Sequence, residues 1–440
     1  VQGCSVAILE ARDRIGGRIY TLHPPGGGLP VELGAEFVHG MPRETLDIVR
    51  AAGLTLAERS GATFVSAGGQ PRREREESAN STDDDDDDDD DEGVDAVLRV
   101  VREWNGPDMT LQAFLDERFS GERWAEARRS ASGYAEGFDA ADAARVSIHW
   151  LAQSEAALDA IRGDRQFRLP GGYDQILEWL RAGLEPKRMA LRLNTVAQEV
   201  RWSRGEVEVS VRSPLGTALE SVASRACVVT LPLGVLAASS DMPGAVHFVP
   251  EVPGKQKALA SLEMGQVVKV LLRFSEAFWE MDARSGARLP ALPKLSFLFS
   301  DDPVLPTWWT SYPLLAPVLT GWVGGPRAAR LASQPDSVIV EQAVEALARV
   351  LGVRRGMLEA QLEGWMVHNW SADLYARGAY SYVCAGGMDA PAALGAPVED
   401  TLFFAGEATN DAGHTGTVHG ALATGLRAAR EVSEALARQV

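Results

Sequence analysis

Apolar residues arrive in two rhythms along this chain. Short runs rich in β-branched side chains occur at Cys4–Leu9 (CSVAIL), Ala226–Leu236 (ACVVTLPLGVL), Val267–Phe274 (VVKVLLRF) and Leu402–Ala405 (LFFA), each bounded by charge, proline or glycine. Such runs predict buried strands. Leu191–Val211 alternates apolar and polar positions, as a β-meander does. Val31–Val38 (VELGAEFV) reads as a strand or tight turn beside something small, because Gly34-Ala35 has no bulk. Other stretches have helical period: Val94–Ala160 predicts several helices, Tyr173–Gly183 and Val338–Leu351 one each. Val418, Ala421, Leu422, Gly425, Ala429, Val432 and Leu436 predict a last helix running to the end. The mix is α/β, with segments of one sheet scattered between other material and no fixed-period repeat.

A length of 440 residues suggests roughly two or three domains. The apolar fraction of 45% and charged fraction of 24% are ordinary for a globular protein with a real core. No uncharged apolar run reaches the roughly 18 residues that a membrane helix needs. The net charge of −18 owes ten of its negative charges to Asp83–Asp91 and Glu92. These carboxylates repel one another and bury no apolar area, so 67–93 is expected to be an acidic flexible loop. No basic cluster argues for nucleic acid as a partner. Cys4, Cys227 and Cys384 are far apart, so a disulfide framework or zinc site is not expected, and a reducing, cytoplasmic compartment is. His414 and His419 lack a carboxylate or cysteine at ligand spacing, and no metal is assigned.

Chemistry concentrates at the two chain ends. Glu10 closes the first apolar run, where an acidic residue in a dinucleotide-binding unit accepts hydrogen bonds from ribose hydroxyls; a solvated strand-end carboxylate is the simpler reading. Gly16 and Gly17 let backbone N–H groups approach a pyrophosphate, and Arg18 adds charge-assisted donors. Ala405-Gly406-Glu407-Ala408-Thr409 follows the strand at 402, and the last helix begins near Thr417, a candidate N-cap, with Gly416 permitting close approach. A helix N-terminus suits a phosphate or an electron-rich ring edge, although an ordinary capped helix looks the same in sequence. Lys269 interrupts an apolar strand and shares a face with Leu271 and Arg273. By pattern alone it reads as a snorkelling surface lysine. Trp370, Tyr375 and Tyr380 read as core aromatics.

Taken in order, SVAILEARDRIGGRIYT (5–21), ELGAEFVHG (32–40), TLPLGVL (230–236), MGQVVKVLLRFSEAFW (264–279), WSADLYARGAYSYVCAG (370–386) and LFFAGEATN…GTVHGALATGLRAA (402–429) resemble the flavin-containing amine oxidases, and within them the polyamine oxidases and lysine-specific histone demethylases. The resemblance implies a Rossmann-like FAD domain assembled from 1–60, 165–236 and 390–440, and an α+β substrate domain with a mixed sheet from 94–164 and 237–389. It implies that Glu10 holds the FAD ribose, that Arg12 and Arg18 lie over the phosphates and flavin, and that Gly34 and Ala35 run beneath the isoalloxazine. Val196 or Ala197 is the backbone hook for adenine in this likeness, Gly406 and Glu407 belong to the acidic FAD contact, and Thr417 and Val418 meet the pyrimidine edge. The resemblance reverses the surface reading of Lys269, which then holds a water near flavin N5. Tyr380 forms an amine cage, Trp370 and Tyr375 lie near the ring, and His39 is either an amine contact or a structural histidine. The implied reaction takes a small-molecule amine and oxygen, passes hydride to flavin N5, and yields an imine, then an aldehyde and amine, with hydrogen peroxide.

Two departures qualify this. No GxGxxG turn follows a strand, and in this family it lies roughly 20 to 25 residues before the acidic strand end. The sequence given is therefore expected to be an N-terminally truncated form, with unpaired sheet ladders and weak FAD retention. Residues 94–165 are too few for the long helical hairpin of the demethylases, so a small amine is preferred. An L-amino acid oxidase-like enzyme and an inactive remnant acting as a binding protein remain alternatives.

Overall fold

A computed structural model describes residues 3–25, 27–74, 93–281 and 289–438. The aspartate tract lies outside the described residues. The start of the segment expected to be a loop is instead ordered: Ala62–Ala67 turns at Gly68-Gly69 into a second strand, Gln70–Arg73. The charged side chains there disguise an edge strand, since edges carry polar residues that interior strands exclude.

That hairpin ends a seven-stranded mixed sheet ordered Leu362–Asn369, Val267–Phe274, Val318–Gly324, Thr307–Trp309, Leu295–Ser300, Ala62–Ala67, Gln70–Arg73. The second strand has a partner along each edge, and every residue of it but Arg273 is buried. Successive side chains alternate between faces. Val268, Val270, Leu272 and Phe274 meet the helix Asp336–Leu351 through Ile339, Ala343, Leu347 and Val350. Each such buried side chain contributes about 1.5–3 kcal/mol. The odd-numbered residues, Lys269 among them, face the other way.

The remaining strands are short. Val6–Leu9 pairs in parallel with Met189–Arg192, and Cys227–Val229 with Leu402–Phe404. A four-stranded sheet runs Val222–Ser224, Glu206–Arg212, Val196–Ser203, His247–Val249. The last helix, Val418–Arg438, lays Ala428, Val432 and Ala435 on Phe403 and Ala405. One expectation is corrected here. The first strand is not buried: Val6 and Ile8 are 45% and 36% exposed, because it has a strand partner along one edge only among the described residues.

Four helices, Val94–Glu103, Leu111–Arg118, Ala125–Gly137 and Ile148–Ala160, form a separate apolar cluster. Thr110 and Ser147 cap two of them by accepting from the N–H groups of Ala113 and Trp150. Among the described residues, no helix is long and apolar enough to cross a membrane.

Candidate active site

One cavity of about 2060 Å³ lies between these bodies, and every residue named above for the site lines it. At one end Glu10 terminates the first strand and its Oε1 accepts the Arg12 N–H at 2.8 Å. The Arg12 guanidinium forks onto Asp373 at 2.9 and 2.6 Å, beside the Tyr375 ring. Burial pushes Asp373 up, but hydrogen bonds from His368 and Arg12 outweigh it and hold the carboxyl well below its usual range. Arg18 pairs with Glu407 at 2.8 Å and donates to the Ala379 carbonyl. The other oxygen of Glu407 accepts from the Ser381 hydroxyl at 2.7 Å and the Gly416 N–H at 2.8 Å. The two chain ends are thus tied through a buried carboxylate.

Backbone is bare where a large ligand needs close approach. Gly17 and Gly406 hold φ of 57° and 124°, and a Cβ on either would meet nothing within 4 Å. At Gly34 the reason for glycine differs: a Cβ would sit 2.0 Å from the Arg18 carbonyl oxygen. Gly16 and Ala35 continue the same strip, and Ala197 lies at the start of Val196–Ser203. Thr417 Oγ1 caps the last helix by accepting the Gly420 N–H at 2.9 Å. The amides of Thr417 and Val418 have no acceptor among the described residues, as expected at a helix start. A strand-end carboxylate can accept from ribose hydroxyls, and bare glycine backbone and free helix amides can donate to phosphates or a ring edge, so the residues present fit a dinucleotide such as FAD.

One wall of the cavity carries a buried ion cluster. Lys269 is 1% exposed, which overturns the surface reading of its pattern. Its Nζ lies 2.7 Å from Glu36 Oε2. Glu36 also accepts from Arg168 Nε at 3.1 Å and from Trp309 Nε1 at 3.0 and 3.1 Å. Burial pushes Glu36 up, but the charges of Lys269 and Arg168 and the hydrogen bonds from Lys269 and Trp309 hold it below its usual value. Nearby Glu32 has no ion pair among the described residues, and burial raises it to about 7 despite hydrogen bonds from Tyr173 N–H and the Thr21 hydroxyl and the charge of Lys269.

The rest of the lining is aromatic, both beside the helices and on the sheet itself, where Trp322 is the cross-strand neighbour of Lys269. Tyr380 donates to the Phe138 carbonyl at 2.7 Å, and Trp322 Nε1 to the Gly137 carbonyl at 2.9 Å. The His39 ring meets Phe138 edge-on at 5.6 Å, and Phe138 stacks on Tyr134 at 5.3 Å. His39 Nδ1 is buried without a partner among the described residues, and burial lowers the ring's pKa to about 4, so it is neutral at ordinary pH. Trp370 is placed deeper: its Nε1 donates to the Leu33 carbonyl at 2.9 Å, and it props the strip at Gly34 from below.

A flavin-containing amine oxidoreductase family model matches residues 1–433. The chain belongs to this family. Its members are FAD-dependent oxidoreductases acting on CH–NH or CH–NH2 groups of small amines. A rice (Oryza sativa subsp. japonica) protein named polyamine oxidase 3 is 29% identical over 97% of this chain and 84% of its own length. Human lysine-specific histone demethylase 2 is 26% identical over 98% of this chain and 51% of its own length. Among solved structures, a putrescine oxidase bound to putrescine superposes with a TM-score of 0.75 at 19% identity, covering 98% of this chain and 93% of its own. The cyclohexylamine oxidase of Brevibacterium oxydans IH-35A gives 0.72 at 21%, covering 98% and 93%. These two likenesses establish the fold.

Sequence reasoning missed Glu36, Arg168, Asp139 and Asp373. Glu36 had a signal. It is a lone acid in an apolar stretch, as Lys269 is a lone base in another, and isolated buried charges pair. Asp373 and Arg168 sit in polar surroundings that give no such contrast.

Proposed function

We propose that this flavin amine oxidase oxidises a polyamine or a similar amine, releasing an imine, which is hydrolysed to aldehyde and amine, and hydrogen peroxide. The observation that supports this most is the state of the cavity's charges. Arg12, Arg18 and Lys269 each face a carboxylate, so these cations are not free to receive an acidic substrate group, while Phe138, Tyr380, Trp322 and His39 offer apolar and π surface. An aromatic wall favours an amine, because a cation gains on entry from π faces and the dry interior favours its neutral form at the reacting carbon.

In this reading Glu10, Arg12, Gly16, Gly17, Arg18, Gly34, Ala35, Ala197, Gly406, Glu407, Thr417 and Val418 hold FAD. Trp370 and Tyr375 support it, and Lys269, Tyr380 and His39 serve the reaction. FAD held there would supply the hydride acceptor and the route for electrons to oxygen. Lys269 keeps a fixed ammonium at the cavity wall, because Glu36 neutralises part of its charge and fixes its direction. Tyr380 and His39 orient the amine and exclude water. Neutral His39 can accept an amine proton, its low pKa making it a weak base.

A second reading, L-amino acid oxidation, draws on Arg59, which lines the cavity without a carboxylate partner among the described residues. Peroxide release from FAD-supplied protein separates the cases. The proposal expects peroxide with spermine or putrescine exceeding that with L-amino acids. Peroxide from L-amino acids alone supports the second reading, and none from any of them leaves a binding role only.

A further inference from the structure

Asp373 stands behind the cavity, outside its lining, and grips a residue that does line it. Its two carboxylate oxygens take the terminal nitrogens of Arg12 at 2.6 and 2.9 Å, although the two residues are 361 positions apart in the chain. Both side chains are largely enclosed, 14% exposed for Arg12 and 8% for Asp373. The carboxylate is itself anchored. Its Oδ1 accepts the Tyr375 N–H at 3.0 Å, and His368 Nε2 lies 3.4 Å from its Oδ2. The Tyr375 ring, 5.5 Å from the Arg12 Cζ, gives the guanidinium a second surface to rest on.

The backbone of Arg12 is pinned separately. Its N–H donates to Glu10 Oε1 at 2.8 Å, and its carbonyl accepts the Asn194 N–H at 2.7 Å. Arg12 is thus held at its main chain by the strand-end segment and at its tip by a residue from far along the chain. A free arginine gives up many rotamers when it meets a ligand, and a fork-to-fork contact removes that freedom beforehand. The contact engages one N–H on each terminal nitrogen and leaves the other guanidinium donors for a ligand. Asp373 also cancels part of the charge of Arg12, which alone would weaken its pull on an anion. Position outweighs this, because an enclosed guanidinium without its partner turns away towards water.

We propose that Asp373 is the positioning residue of Arg12, setting its guanidinium for the pyrophosphate of FAD and raising FAD affinity without touching FAD itself. This rests on the reading in which Arg12 holds the cofactor, and extends it to a residue that no ligand contact would reveal. Asp373 follows the strand Leu362–Asn369, whose His368 is the cross-strand neighbour of Lys269. The same contact therefore ties the phosphate end of the site to the sheet that carries Lys269.

The test is titration of the flavin-free protein with FAD, followed by flavin fluorescence, in the wild type, Asp373→Asn, Arg12→Ala and the double variant. Asp373→Asn is expected to lose about tenfold in FAD affinity, and the double variant to bind no more weakly than Arg12→Ala. Unchanged or tighter FAD binding by Asp373→Asn overturns the proposal. So does a further loss of the same size in the Arg12→Ala background, which marks Asp373 as structural. If Asp373→Asn does not fold, as judged by circular dichroism, Asp373→Glu takes its place. Its carboxylate keeps the charge and shifts the fork, the same dependence on Arg12 is expected, and its absence overturns the proposal. No arm reads turnover. Peroxide from no amine contradicts the oxidase reading and leaves this cycle intact, whereas additive losses contradict this inference alone.

Discussion

Two parts of the cavity lining handle buried charge in opposite ways. On the sheet side, Lys269, Glu36 and Arg168 are all deeply placed, and the shared carboxylate is bonded by three different side chains. Elsewhere on the lining, Asp139 beyond the helix Ala125–Gly137 and the Nδ1 of His39 on the strand Val38–His39 have no partner among the described residues. A paired cluster keeps its geometry whether or not a ligand is present. Unpaired groups carry a desolvation cost that a ligand can relieve. The difference separates a part that keeps a fixed charge from a part whose polar atoms stay unmet.

The largest effect that sharpens this contrast comes from Lys269→Met. It leaves Glu36 with Arg168 and Trp309 alone, and stability should fall by about 3 kcal/mol, read by chemical denaturation, with loss of most peroxide release. Adding Glu36→Gln should restore part of the stability and none of the activity. Full additivity of the two losses would show that the pair is not coupled.

The next effect belongs to the unpaired part. His39 has its native pKa lowered to about 4 from the ordinary 6.5, so the native state prefers the neutral ring. The unfolded state binds more protons between those values, and stability is present above the upper value and lost as pH falls through the window. The loss should be about 3 kcal/mol and should shrink in His39→Gln. Asp139 has the opposite sign, because its raised pKa makes acid favour the native state. Asp139→Asn should therefore gain about 1 kcal/mol at neutral pH. Tyr380→Phe, which removes the hydrogen bond to the Phe138 carbonyl, should cost about 1 kcal/mol by thermal melting. If Asp139→Asn destabilised as much as Lys269→Met, the distinction between the two parts would fail.

Much of this was legible in the sequence. The runs at 267–274 and 402–405 and the periodic tail at 418–436 declare their elements, because their burial leaves a pattern. Glycines and charges at the chain ends were readable as parts of one site, because few other roles need bare backbone next to a strand-end acid. Lys269 shows the limit: the strand pattern gives its face but not what lies opposite, and its partner comes from residue 36, far away in sequence. Asp139 was invisible for a related reason. A carboxylate after a helix is ordinary, and only the fold reveals that nothing answers it. The first strand misled in the other direction, since an apolar run does not report whether both of its edges are paired.

The most direct measurement is anaerobic titration of FAD-supplied protein followed through the visible flavin band. The account predicts bleaching by putrescine or spermine at concentrations where an L-amino acid of similar size leaves the colour intact. Bleaching by the L-amino acid, with the polyamines inert, would contradict it.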